Sequence, residues 1–341
     1  MPTVDDAIWR TVLEGARRYP SPHNSQPIKV RIVGEFEAHV FYDLDLGLPA
    51  ENYGIPFGHV CAGVFLESLA TVAAAKGYRV VEALDHADMD FDAVDRLHPL
   101  GTVRLEPREP TDEDRVRLAA YDARQTSRRP YDSKPVPDAV VSAVAQVAES
   151  SGQDFREGNE PELVKRIVRV NQETLFADLR NDAVHAEILQ WLRYSEDDAR
   201  ARGDGLSAKT MLMPGPVLKF AIQHRGLWDA PVVGRLIRRT YLNTMRGVTQ
   251  VGWLEGRFAT PADYVEAGRA FMRVWLEFTL QGVFLHPFGT VITNPGSHAE
   301  FVRAAGIDES GDSMAWMLFR FGYSKVPPVA HRRAIEEMLI P

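Results

Sequence analysis

The chain has 341 residues, 45% hydrophobic and 25% charged, enough for one large core or about two domains of ordinary globular composition. Acids outnumber bases 47 to 39, for a net charge of -8, which argues against non-specific nucleic-acid binding, whose affinity comes mostly from neutralising phosphates. A single cysteine, Cys61, leaves no internal disulfide framework or Cys-based metal site and makes a cytoplasmic location the expectation.

MPTVDDAIWR has acids where a signal peptide carries bases, and the chain has no uninterrupted apolar run of membrane-spanning length, so no span is expected. Residues 4–18 place Val4, Ile8, Val12 and Leu13 at helical spacing, acids first and arginines last. YPSPHNSQPI follows as a polar loop. KVRIV and AHVFYDL then alternate like strands around a GEFE turn, HVCAGVFLESLATVAAAKGY reads as a long buried helix ending at Gly77, and RVVEAL and GTVRLEP are further strands. From about 107 to 138 the composition is loop-like, and a boundary is placed near residue 120. Helices are expected at 138–149, 161–194 and 231–246, interrupted by MLMPGPVL, with a second long helix at 263–283 and a strand at WMLFRFGY.

The two long helices share an Ala-Gly pair, and the interval from Gly63 to Gly77 equals that from Gly268 to Gly282. Each leads into a strand-like run. Matching pieces at a fixed interval suggest a duplicated α+β unit whose central helices pack together, so that one chain imitates a symmetric dimer.

Three stretches are candidates for binding. RQTSRRPYDSKPVP, residues 124–137, gathers arginine forks and hydroxyls suited to a phosphate monoester, although a solvated basic loop balancing TDED fits the composition as well. HRRAIEEML puts Arg332 and Arg333 at the start of an expected last helix, where they oppose its dipole unless an anion, Glu336 or Glu337 offsets them. LHPFGTVITNPG allows close backbone approach to a flat ligand, or is an ordinary loop. His23 and His286 flank these stretches and read first as a loop side chain and a partly buried structural one, with proton donation or a hydrogen bond to substrate as the alternative. The spacing of the histidines suggests no metal site.

Taken together, these stretches resemble the FMN-dependent nitroreductase superfamily. PSPHNSQPI resembles its Pro-Ser-x-x-Asn-x-Gln-Pro-Trp loop, with Ile28 at the Trp position. RQTSRRPYDSKPVP resembles its phosphate loop, HPFG its Pro-rich loop against the flavin ring, and FGYSKVPPVAHRR its closing strand and terminal arginine. The phosphate loop stands in the second half and PSPHN in the first, which resembles the tandem, Acg-like branch, as do AEILQWLRY and GDGLSAKTM.

The resemblance implies an α+β nitroreductase-like fold of two halves, 1–120 and 121–341, each with a mixed or antiparallel sheet, and a lid at about 195–262. It implies FMN held by Arg124, Gln125 (through its backbone), Thr126 and Arg332 at the phosphate. Pro20, Ser21, Pro22, Asn24, Arg128, Pro287, Phe288, Gly289 and Thr290 would lie at the ring, Arg128 near N1–O2 and the Gly289 or Thr290 N–H near N5. NAD(P)H is the implied transient reductant, consistent with the lack of a GxGxxG fingerprint. A nitroaromatic, quinone or similar small molecule is the implied acceptor, and the oligomeric state is a monomeric pseudo-dimer or a higher homo-oligomer. A flavin-sequestering protein and a specialised dehydrogenase or oxidase are the alternatives.

Overall fold

A computed structural model describes residues 6–230 and 232–341; Val4 and position 231, the ends of two expected helices, lie outside the described residues. The first half runs α1 (Ala7–Ala16), β1 (Ile28–Gly34), β2 (Glu37–Asp43), the one-turn α2 (Pro49–Asn52), α3 (Phe57–Ala75), β3 (Tyr78–Leu84), β4 (Leu97–Pro107) and α4 (Asp112–Ala123). The second begins with α5 (Asp138–Ser150) and β5 (Asp154–Gly158). A largely helical insertion follows: α6 (Pro161–Asp178), α7 (Asp182–Trp191), β6 (Leu192–Arg193), α8 (Glu196–Arg202), β7 (Leu206–Ser207), α9 (Gly215–Gln223) and α10 (Val233–Thr244). The chain ends with β8 (Gln250–Arg257), α11 (Pro261–Leu280), β9 (Phe284–Pro287), α12 (Gly289–Thr293), α13 (Pro295–Ala305), β10 (Ser313–Gly322) and α14 (Ile335–Met338).

The fold is α+β, with two four-stranded antiparallel sheets ordered β1-β2-β4-β3 and β5-β8-β10-β9. In both, a long helix joins the second strand to the third and a shorter helix precedes the first. The two halves therefore repeat one topology, and the insertion lies between the first and second strands of the second copy. One hydrophobic core runs through both halves; a smaller cluster around Phe176, Ile188 and Trp228 belongs to the insertion.

The shared Ala-Gly pairs mark where α3 and α11 cross. A Cβ on Gly63 would meet the Val265 carbonyl oxygen at 1.9 Å, and one on Gly268 would meet the Val60 carbonyl oxygen at 2.0 Å. Each glycine thus packs on the carbonyl three residues before the other, a reciprocal contact that only hydrogen side chains permit. Gly77 and Gly282 then take left-handed φ of 89° and 68° as the chain leaves each helix. α3 has the length and apolarity of a membrane-spanning helix, but 89% of its apolar window is buried inside the fold, as expected of a core helix.

Several sequence expectations change. The boundary near residue 120 falls inside α4, because Thr111 and Asp114 form a capping box that turns TDED into a helix start. The expected helix 161–194 breaks at Asn181, whose side chain caps α7. QVGWLEGRF is not part of a lid: β8 is an inner strand, and Gly252 and Gly256 leave room for the Phe155 ring and the Gln153 amide. Arg332 and Arg333 precede α14 in extended chain rather than opening a full helix.

Candidate functional site

The thirteen residues expected to contact FMN all line two adjoining compartments. The smaller, about 130 Å³, is polar; Pro20, Ser21, Asn24, Arg124, Gln125, Thr126, Arg128 and Arg332 form its walls. The larger, about 350 Å³, is mostly apolar, and Pro20, Ser21, Pro22, Thr126, Arg128, Pro287, Phe288, Gly289 and Thr290 line it. Pro20, Ser21, Thr126 and Arg128 belong to both and mark the junction.

Local structure explains the convergence. In the PSPHNSQ loop, His23, Asn24 and Gln26 hold φ of 49°, 56° and 54°, a conformation costly for residues with side chains and kept only where surroundings enforce it. The enforcement is visible. Asn24 Nδ2 donates to the Gly205 carbonyl (3.2 Å) and the His331 carbonyl (3.0 Å), and Gln26 Nε2 donates to the Gly203 carbonyl (2.9 Å). Gly203 and Gly205 have φ of 67° and 76°, and a Cβ on either would strike the Arg332 or Trp191 carbonyl. The C-terminal segment crosses back to the first half, where Ile340 N–H donates to the Val30 carbonyl (3.0 Å) and delivers Arg332 beside Asn24 Oδ1, which accepts from it. The phosphate-loop candidate is set against β9, Ser127 N–H donating to the Leu285 carbonyl (3.1 Å). Buried Arg320 holds the Ser127 and Arg129 carbonyls at 3.2 and 3.3 Å.

The electrostatics of the polar compartment are lopsided. Arg124 is 7% exposed; it stacks over the Trp275 ring, 4.4 Å from its centroid, and reaches the Arg18 carbonyl at 3.5 Å. Arg332 donates to Asn24 and to the His331 and Arg18 carbonyls at 3.2 and 3.3 Å. Among the described residues no carboxylate pairs with Arg124, Arg128 or Arg332, and the Nε atoms of Arg124 and Arg332 are buried without a partner. Burial and mutual repulsion pull Arg124 down to about 9, and burial pulls Arg128 and Arg332 down to about 10. Arg333, by contrast, is neutralised by Asp204.

Asn24 falls in the polar compartment with both amide hydrogens committed to carbonyls, so it positions Arg332 rather than meeting the apolar slot. Sequence reading missed the Trp275 ring beneath Arg124 and Arg320 behind the loop, while Leu206, Met211, Leu212, Met213 and Tyr241, inside the segment expected as a lid, form a wall of the apolar compartment. TMLMP was the one local signal of that wall. Glu51, which also lines the apolar compartment, had no signal. His23 and His286 both line it too, with His286 Nδ1 buried and unpartnered.

No family model matches the chain. Two Mycobacterium tuberculosis proteins, from strains CDC 1551 / Oshkosh and H37Rv and provisionally named NAD(P)H nitroreductases, are 30% identical over 167 residues, 48% of this chain and 46% of theirs. The match thus spans about half the length of these curated relatives. Solved structures with some likeness include a nitroreductase with bound FMN from Desulfitobacterium hafniense (13% identity, TM-score 0.39, 65% of this chain and 96% of that one). Another is an FMN-dependent nitroreductase from Mycobacterium smegmatis in complex with NADPH (14% identity, TM-score 0.38, 66% and 97%).

Proposed function

We propose that this chain is an FMN-dependent oxidoreductase of the nitroreductase superfamily, a single-chain pseudo-dimer that takes hydride from NAD(P)H and reduces a nitroaromatic, quinone or similar small acceptor. The observation that carries the proposal is a set of three guanidiniums, buried Arg124 and half-buried Arg128 and Arg332, with no carboxylate among the described residues to meet them, opening onto an apolar slot. Unpaired buried cations are costly, and a phosphate monoester attached to a flat apolar ring satisfies both halves of the site at once. The motif resemblance supports the same cofactor, and the sequence match to mycobacterial proteins named NAD(P)H nitroreductases supports the reductant.

Arg124, Thr126 and Arg332 would hold the phosphate, Asn24 keeping Arg332 in place. The Pro20–Pro22 turn and the Pro287–Thr290 segment would flank the ring, and Arg128 at the junction would favour negative charge on its reduced form. When bound, FMN supplies the hydride chemistry. The residues around it supply binding, orientation and exclusion of water. Titration of purified protein with FMN is expected to give stoichiometric binding with a yellow, perturbed flavin spectrum, and anaerobic NAD(P)H is expected to bleach it. Protein that takes up no FMN overturns the reading. The insertion wall over the apolar compartment favours one variant, a sequestering protein; flavin that bleaches with dithionite but not with NAD(P)H selects it.

A further inference from the structure

Glu51 sits in α2, a single turn of helix whose Ala50 and Glu51 N–H groups donate to the Glu187 carboxylate at 3.0 and 2.9 Å. Its own carboxyl faces the apolar compartment, with Oε2 2.8 Å from His23 Nε2. That contact is close but misaligned, and neither ring nitrogen of His23 completes a hydrogen bond. The neighbouring buried acids have structural partners. Glu187 caps α2, and Asp178 accepts from Tyr53 Oη (3.0 Å) and Asn294 Nδ2 (2.7 Å). Among the described residues, His23 is the one side chain recorded against the Glu51 carboxyl.

The surroundings keep this pair neutral. Burial, with Glu187 of α7 and Asp178 of α6 adding like charge, raises Glu51 to about 8. Burial, with Arg128 adding like charge, lowers His23 to about 4. Tyr53 lies beyond α2, and α12, packed on α2, carries no titratable side chain. A carboxylic acid thus keeps its proton at neutral pH on the wall of an apolar cavity, beside an imidazole with hydrogen-bonding capacity to spare.

We infer that Glu51 is the proton donor to an apolar, uncharged acceptor reduced in this compartment, and that His23 is its positioning and re-protonation partner. The inference rests on the oxidoreductase reading above. An acceptor such as a quinone gains two electrons and one proton as hydride from the reduced cofactor and its second proton from the Glu51 carboxyl, leaving a hydroquinone. The Glu51 carboxylate recovers its proton from solvent by way of His23. A cationic acceptor would drain the proton early, and an anionic one would be repelled by the carboxylate left behind.

The test is stopped-flow re-oxidation of dithionite-reduced holoprotein by 1,4-naphthoquinone, with ferricyanide, which takes electrons singly and needs no proton, as the control. Glu51→Gln is expected to slow the naphthoquinone reaction by about 10²-fold or more, the usual worth of a general acid. It is also expected to abolish the fall in rate above pH 8, and the ferricyanide rate is expected to stay unchanged. On the cofactor-free protein, infrared spectra at neutral pH are expected to show the carbonyl stretch of a protonated carboxyl group that Glu51→Gln removes. Holoprotein that is reduced normally yet keeps its naphthoquinone rate and pH profile in Glu51→Gln overturns this inference alone, as does the absence of that infrared band. Failure to bind FMN overturns the parent reading, and this one with it.

Discussion

At one end of the α3–α11 crossing, Val60, Cys61 and Val64 of α3 and Phe271 and Trp275 of α11 face a cavity. At the other end, the positions related to these by the Gly63–Gly268 register hold Val265, Glu266, Arg269, Leu66 and Ala70. There Arg269 pairs with Glu82 and Glu266, and the nearby Glu67 takes Arg273 and Arg117. One backbone repeat has therefore produced two chemically different mouths. Arg117, Arg269 and Arg273 at the ion-paired end each meet a carboxylate. Apolar side chains and three arginines without a carboxylate partner among the described residues line the other end. Two ends with one topology thus differ in side-chain chemistry rather than in fold.

The ion-paired end is the place to break that contrast hardest. Arg269→Ala strands the half-buried Glu82 carboxylate and is expected to cost about 3 kcal/mol in urea unfolding, with FMN affinity unchanged; a lost FMN site would mean that the two ends are not independent. Gly63→Ala and Gly268→Ala each drive a methyl group into the opposite helix's carbonyl and are each expected to cost about 3 kcal/mol. Clearly unequal costs would show that the reciprocal contact is not a true repeat. At the open end, Arg124→Ala is expected to weaken FMN binding by about 1.5–3 kcal/mol in a fluorescence titration, while stability of the cofactor-free protein holds or rises because a repelling cation is gone.

Protonation sharpens the comparison further. Glu51 is raised in the folded state to about 8, so its contribution is full below its unfolded value near 4.5 and is lost as pH rises through 8. His23, lowered to about 4, opposes this trend only below its unfolded value of 6.5. Cofactor-free protein is therefore expected to lose stability between about pH 6.5 and 8, with a slope approaching ~1.4 kcal/mol per pH unit, and Glu51→Gln is expected to flatten it in chemical unfolding at stepped pH. The smallest effect is expected from Asn24→Ala, which loosens Arg332 and weakens FMN binding by about 1 kcal/mol. The flavin spectrum is expected to stay nearly unchanged, because Asn24 lies in the polar compartment; a marked spectral shift would return it to the ring, where the motif resemblance had put it.

Local patterning carried much of this protein into view. Alternation marked both strands of the first hairpin, a mostly apolar sequence marked α3, and turn-forming Pro, Gly and Asn marked the loops that became the site walls. The capping box at Thr111 went unread, its acids reading as loop. β8 escaped because its burial on both faces, with glycines making room for Phe155 and Gln153, erases the alternation that betrays a half-buried strand.

What the sequence by itself determined is the set of short-range choices: which segments coil, extend or turn, and which basic and Pro-rich pieces are chemically fit for an anion and a flat ring. Only the tertiary structure decided that Arg332, brought back by the C-terminal segment on β1, would stand beside Asn24 and share a compartment with Arg124. It also decided that Trp275 would lie under Arg124, and that Glu51 and His23 would meet on the wall of an apolar cavity. The reason is physical. Propensity and periodicity act over one or two turns of chain, whereas an unpaired charge or a stranded proton acquires its meaning from the dielectric and the neighbours that distant segments supply when they pack.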